Sequence, residues 1–259
     1  MQEKIILHIV PALRPQNDGA GDYALKLALE LRESYSIESR FIVCDPKWGG
    51  LGRIEDFVVQ RLRIRSEAGI WSLLSANKLQ NIPILLHYCP YGYQKLGVPL
   101  WMYRGIKSWL GEQGSLTVGG DKRLFTVFYG TLPSSAKPWK KATYLGIPQQ
   151  WLLQEFHRCS KLSVTGCRFT QNLLERIKPG KTLRVSMPGE KPLWYAENSD
   201  WKRIGSQFQT ELFPEFSNSK TGAQSLEDFA QGIKGPAQPK LTLGQYIVER
   251  PVARRPREV

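Results

Sequence analysis

The chain has little of what common metal and redox chemistries need. Its 259 residues hold three histidines and four cysteines. Cys44, Cys89, Cys159 and Cys167 form no C-x-x-C pair, so buried free thiols are the favoured reading over a disulfide or metal set. No G-x-S-x-G elbow, P-loop or H-E-x-x-H is present, which leaves hydrolase and metalloenzyme readings without support. No apolar run approaches the roughly 18 residues of a membrane span, and the run at 5–10 is too short for a secretory core. The cytoplasm is the expected location, with peripheral contact at the inner face of the membrane left open. Acidic residues are also scarce, 23 against 36 Lys and Arg, for a net charge of +13. Residues 195–259 hold nine of the basic and eight of the acidic residues, so the positive field belongs to the first three quarters of the chain. Such a field attracts phosphates, nucleic acid or acidic headgroups and says nothing about fold.

What is there is a folded, soluble composition, 41% hydrophobic and 23% charged. Residues 4–10 form a near-continuous apolar run of strand length stopped by Pro11. Residues 23–31 place Tyr23, Leu27 and Leu31 at helical spacing. The alternation continues with strands at 39–44, 57–64, 82–88, 122–128, 161–165 and 182–186. Helices are expected at 67–79, 98–110, 149–159 and 168–178, the last stopped by Pro179 and Gly180. Strands alternating with helices imply parallel βαβ units covered on both faces. The expected fold is α/β, a doubly wound and mainly parallel Rossmann-like sheet over residues 1–188, followed by an irregular, partly disordered tail at 189–259.

Gly19, Ala20, Gly21 and Asp22 lie between the first strand and first helix, where backbone amides and the positive helix end can hold an anion. Gly19, Gly21 and Ala24 satisfy G-x-G-x-x-A, and Asp45 ends the second strand, as a dinucleotide fold would want. Eight residues separate the strand from Gly19, however, too many for that tight turn. His87, Tyr88, Tyr91 and Tyr93 follow a central strand and would emerge at the same sheet edge, suited to a sugar face or headgroup unless they are packing residues. His8 and His157 read as structural. Lys137 to Lys141, and Trp101, Tyr103, Arg104, Lys107 and Trp109, are basic and aromatic stretches suited to an anionic membrane or to a plain solvated face. No finger spacing, RNP-like strand or recognition helix supports nucleic-acid binding.

Residues 5–23 with Gly19-Ala20-Gly21-Asp22-Tyr23-Ala24, and 87–93 with Gly97-Val98-Pro99-Leu100-Trp101, resemble family 4 glycosyltransferases, a likeness that continues in order to about residue 187. The resemblance implies the acceptor-side half of a two-domain GT-B enzyme, which transfers a sugar from a nucleotide-diphosphate donor with retained configuration and no metal or resident cofactor. It would set Gly19, Ala20, Gly21 and Asp22 toward the donor phosphates, and His87, Tyr88, Tyr91, Tyr93 and Tyr129 on the side of a glycan or lipid-linked acceptor, in polysaccharide biosynthesis. There are two departures. Tyr129 stands where the family commonly has a histidine, and too few residues follow Pro188 for a donor domain. The chain is therefore expected to be truncated, with a partner chain as one source of the donor domain and no catalytic group assigned. The alternatives are a non-catalytic acceptor-binding or scaffold protein and an NAD(P)-dependent oxidoreductase.

Overall fold

A computed structural model describes residues 4–16, 18–76, 82–112, 123–129, 141–180, 182–184 and 198–212. The first apolar run is β1 (Lys4–Val10), buried along most of its length because it lies in mid-sheet. Helix α1 (Gly19–Tyr35) starts four residues earlier than its apolar spacing suggested. Asp18, extended at φ −135°, accepts from the Gly21 amide and caps it, and the helix ends at left-handed Ser36, whose N–H returns to the Arg32 carbonyl. A cap of this kind contributes about 1 kcal/mol.

Strand β2 (Ile37–Val43) runs parallel to β1. A hairpin follows, made of β3 (Arg53–Ile54), which was missed in the sequence, and β4 (Phe57–Arg61), within the strand expected at 57–64, joined through Glu55 and Asp56. Both turn residues have positive φ, 47° and 66°, as the two-residue hairpin turns that match strand twist require. Then come α2 (Glu67–Ala76), β5 (Ile84–Tyr88), the single turn α3 (Pro90–Tyr93) and α4 (Leu100–Glu112). The chain continues through β6 (Leu124–Phe128), α5 (Lys141–Cys159), β7 (Leu162–Thr165), α6 (Arg168–Ile177), β8 (Thr182–Arg184) and α7 (Asn198–Leu212).

The strand order is β3-β4-β2-β1-β5-β6-β7-β8, parallel throughout except for the β3–β4 edge pair. The expected doubly wound, Rossmann-like α/β sheet is thus the fold. Its order reverses between β1 and β5, and in open α/β sheets the crevice beyond the strand ends at that point is where ligands bind.

Side-chain alternation sorts the strands onto two faces. Leu7, Ile9, Leu86 and Phe128 pack beneath α2, α4, α5 and α6. Ile6, Leu85, Phe125 and Val127 pack beneath α1 and α7. Helix α7 lies inside the stretch expected to be an irregular tail, and beyond the domain end placed at 188. Its Trp201, Ile204 and Phe208 are buried with Tyr23, Leu27 and Leu31 of α1. The Tyr35 hydroxyl donates to the Lys202 carbonyl at 3.1 Å. Residues 213–259 lie outside the described residues. Among the described residues, no helix is long and apolar enough to cross a membrane.

Candidate functional site at the carboxyl edge of the sheet

The segment after β1 folds back on itself. Asp18 Oδ2 accepts from the amides of Gly21 at 3.2 Å and Ala12 at 3.3 Å. A Cβ on Gly21 would collide with the Ala12 carbonyl oxygen, whereas one on Gly19 would meet open space. A Cβ on Gly92, in α3, would stand 2.7 Å from Pro11 Cβ. Gly21 and Gly92 therefore let segments of this chain approach one another. Gly19 is exposed, and Ala20 and Gly21 are buried.

The amide end of α1 is thus already occupied by an anion of the protein's own. Burial pushes the Asp18 carboxyl up, against hydrogen bonds from Ala12, Ala20 and Gly21 that pull it down. Asp22 adds a second carboxylate in the first turn and pairs with Arg14 at 3.1 Å. Asp45, the ribose-binding residue expected of a dinucleotide site, is likewise engaged. Its Oδ2 accepts from Gln16 Nε2 at 3.1 Å, and its Oδ1 accepts from the Lys47 amide and lies 3.5 Å from Arg65.

The aromatic segment after β5 divides. Tyr88 is buried on the α5 side, its ring 4.9 Å from that of Phe156. Tyr93 is buried with its hydroxyl donating to the His87 carbonyl at 2.7 Å and 3.0 Å from the Ile9 carbonyl, tying α3 to the strand ends. Tyr91 alone of these is exposed, and accepts from Gln149 Nε2 at 3.1 Å. His87 has no exposure and faces α1.

His87 belongs to a buried polar chain that crosses three strands. His8 Nδ1 lies 3.0 Å from His87 Nε2, and His87 Nδ1 lies 2.8 Å from the Tyr129 hydroxyl. Burial lowers the His8 pKa to about 3; burial and the neighbouring His8 hold His87 well below the imidazole range. Burial, then Tyr23, Asp18 and Cys89, hold Tyr129 well above the phenol range. All three are neutral at pH 7, so Tyr129 there is a hydrogen-bonding phenol and not a base. Tyr129 directly follows β6, which places it at the carboxyl edge. Among the described residues His8 Nε2, Ser39 Oγ and Tyr23 Oη on this face have no hydrogen-bond partner.

Sequence reasoning set His8 aside because it sits inside a strand and gave Cys89 no role. The pairing of β1 with β5 brings His8 opposite Leu85, two residues from His87, and only that register joins them. Of the two basic and aromatic stretches, residues 137–140 and the Lys141 side chain lie outside the described residues, and Tyr103 and Trp109 are buried. Among the described residues no group of three or more His, Cys, Asp or Glu could hold a metal ion.

No family model matches the chain, and no curated protein matches it. Solved structures do match, among them a short chain dehydrogenase family protein from Francisella tularensis subsp. tularensis SCHU S4. It is 12% identical, with a TM-score of 0.40, over 82% of this chain and 91% of that one. The expectation of sugar transfer is corrected here: this neighbour is a dehydrogenase family protein and not a glycosyltransferase. The geometry adds a physical reason, since His87, Tyr88 and Tyr93 are interior and the Gly21 amide in the first turn of α1 is taken by Asp18. At this identity and TM-score the likeness does not carry dehydrogenase activity to this chain.

Proposed function

We propose that the edge where the strand order reverses binds a small, hydroxyl-bearing organic ligand without requiring a diphosphate. Asp18 would accept the ligand's hydroxyls, and Tyr129, backed by His87 and His8, would hydrogen-bond beside it. The observation that carries this reading is the placement of Asp18. Its carboxylate takes the helix amide that a phosphate would need, and its field is felt at Tyr129 and Cys89, from the loops of two neighbouring strands. The rim cations do not reverse that polarity, because Arg14 and Arg65 are paired with Asp22 and Asp45. A buried chain of neutral polar groups also costs stability unless each member is satisfied, and His8 and Tyr23 are not.

Nucleosides are the first class to test, because open α/β sheets take ligands at this crevice. A ligand that binds only the native state raises the melting temperature. Nucleosides are expected to stabilise the chain at least as well as their diphosphates or NAD(P). Strong stabilisation by diphosphates with none by nucleosides would sink the reading.

A further inference from the structure

Nine large hydrophobic side chains are exposed among the described residues; Ile147 and Trp151 share one face of α5, and Tyr91, Leu96 and Leu100 lie in the segment that runs from α3 into α4. Two contacts join these segments. Gln149 of α5 donates from Nε2 to the Tyr91 hydroxyl at 3.1 Å and to the Leu96 carbonyl at 2.9 Å, fixing α5 on the segment after α3. The Trp151 ring stands edge-on to Tyr103 of α4 at 5.3 Å, which sets it beside the α4 surface that Leu100 begins. Ile147 is 69% exposed, Tyr91 56% and Trp151 42%, so burial within the chain satisfies none of them.

The charge around this surface is positive in balance. Lys95, Arg104 and Lys107 are exposed beside it. Of the acids nearby, Glu155 accepts from the Tyr103 hydroxyl at 2.6 Å and pairs with Arg158 at 2.6 Å, while Glu112 keeps its charge as it accepts from Trp71 Nε1 at 3.0 Å, which leaves the cations in excess. Tryptophan and tyrosine favour the headgroup layer, and each lysine or arginine at an anionic surface adds about 1 kcal/mol of attraction. We infer that the surface of Tyr91, Leu96, Ile147 and Trp151, ringed by Lys95, Arg104 and Lys107, docks this protein on an anionic lipid bilayer. Because Tyr91 directly follows the β5 end, docking would set the ligand-binding edge close to the headgroups. The inference does not depend on what that edge binds.

The test is co-sedimentation of the full chain with vesicles of phosphatidylcholine alone and of phosphatidylcholine mixed with phosphatidylglycerol. Binding is expected to the mixed vesicles only, and to weaken with salt. The double variant Ile147→Ser/Trp151→Ser should lower the partition coefficient by about tenfold, with a melting curve showing that it stays folded. Arg104→Glu/Lys107→Glu should do the same, whereas Arg53→Glu/Arg63→Glu, an equal charge change outside this surface, should bind like the wild type. The inference is overturned if mixed vesicles bind no protein, or if the two charge reversals weaken binding equally. It is overturned too if the serine variant dissolves a dimer while no vesicle binding is seen, because the surface then joins two copies of this chain.

Discussion

His8 Nδ1 and His87 Nε2 lie 3.0 Å apart inside the sheet, their rings 15° from parallel and both without solvent exposure. Two imidazoles that share a hydrogen bond in an apolar layer must stay neutral, and that makes the fold sensitive to acid.

The sign follows from linkage. Both folded pKa values are depressed, His8 to about 3, so below the unfolded value of about 6.5 the unfolded chain binds protons that the folded chain refuses. The stabilisation is present above about pH 6.5 and is lost as pH falls. Urea midpoints should therefore drop between pH 7 and 5, each buried histidine contributing up to about 1.4 kcal/mol per pH unit. His157, also lowered by burial, adds to the slope. His8→Phe should remove about one proton's share of it. An unchanged slope would mean that His8 is not held neutral in the fold.

The two glycines at the start of α1 should behave oppositely. Gly21→Ala drives a methyl into the Ala12 carbonyl and is expected to cost about 1–3 kcal/mol, while Gly19→Ala meets open space and should be neutral or slightly stabilising. Chemical denaturation of both variants checks this. Equal, small effects would leave room at Gly21 that the packing denies.

Thiol reactivity should rank by environment. Burial works against the Cys167 thiolate, but hydrogen bonds from Thr170 and Phe169 at the start of α6, with Arg184 nearby, bring its pKa below the usual thiol value. Burial pushes Cys44 up to about 12. Mass-spectrometric mapping after brief iodoacetamide treatment should find Cys167 modified first and Cys44 unmodified until the protein unfolds.

Helix α7 is expected to be part of the stable unit. Trp201→Ala should destabilise the protein by about 3–5 kcal/mol, because the indole fills the layer against Tyr23. A loss below about 1 kcal/mol would mean that α7 does not cover that face.

The sheet was legible because strands buried on both faces are mainly apolar, and residues 4–10 and 84–88 are so apart from Lys4, His8 and His87. The β3 hairpin was not, since two-residue strands carry no period. In α7, Trp201, Ile204 and Phe208 do keep helical spacing, but the surrounding polar residues dilute it to what reads as scattered aromatics. The first half of α5 was hidden by Gly146 and Pro148, residues that usually end helices. At the site, the glycine segment was found but the engagement of its amides within the chain was not. Asp18 is an N-cap, so Gly19 to Asp22 are the first turn of a helix in which the Gly21 amide is engaged by the Asp18 carboxylate and the Asp22 amide by the Asp18 carbonyl. The His8–His87–Tyr129 chain depends on the pairing of β1, β5 and β6, which no local pattern encodes.

The central claim is that Asp18 makes this helix end accept hydroxyls in place of phosphates. Calorimetric titration of a nucleoside and its diphosphate into wild-type and Asp18→Asn protein tests it most directly, because asparagine keeps the cap and removes only the charge. The account predicts that the substitution weakens the nucleoside by about tenfold or more while diphosphate binding improves. Nucleoside affinity unchanged by the substitution, or a diphosphate bound tightly by the wild type, would contradict it.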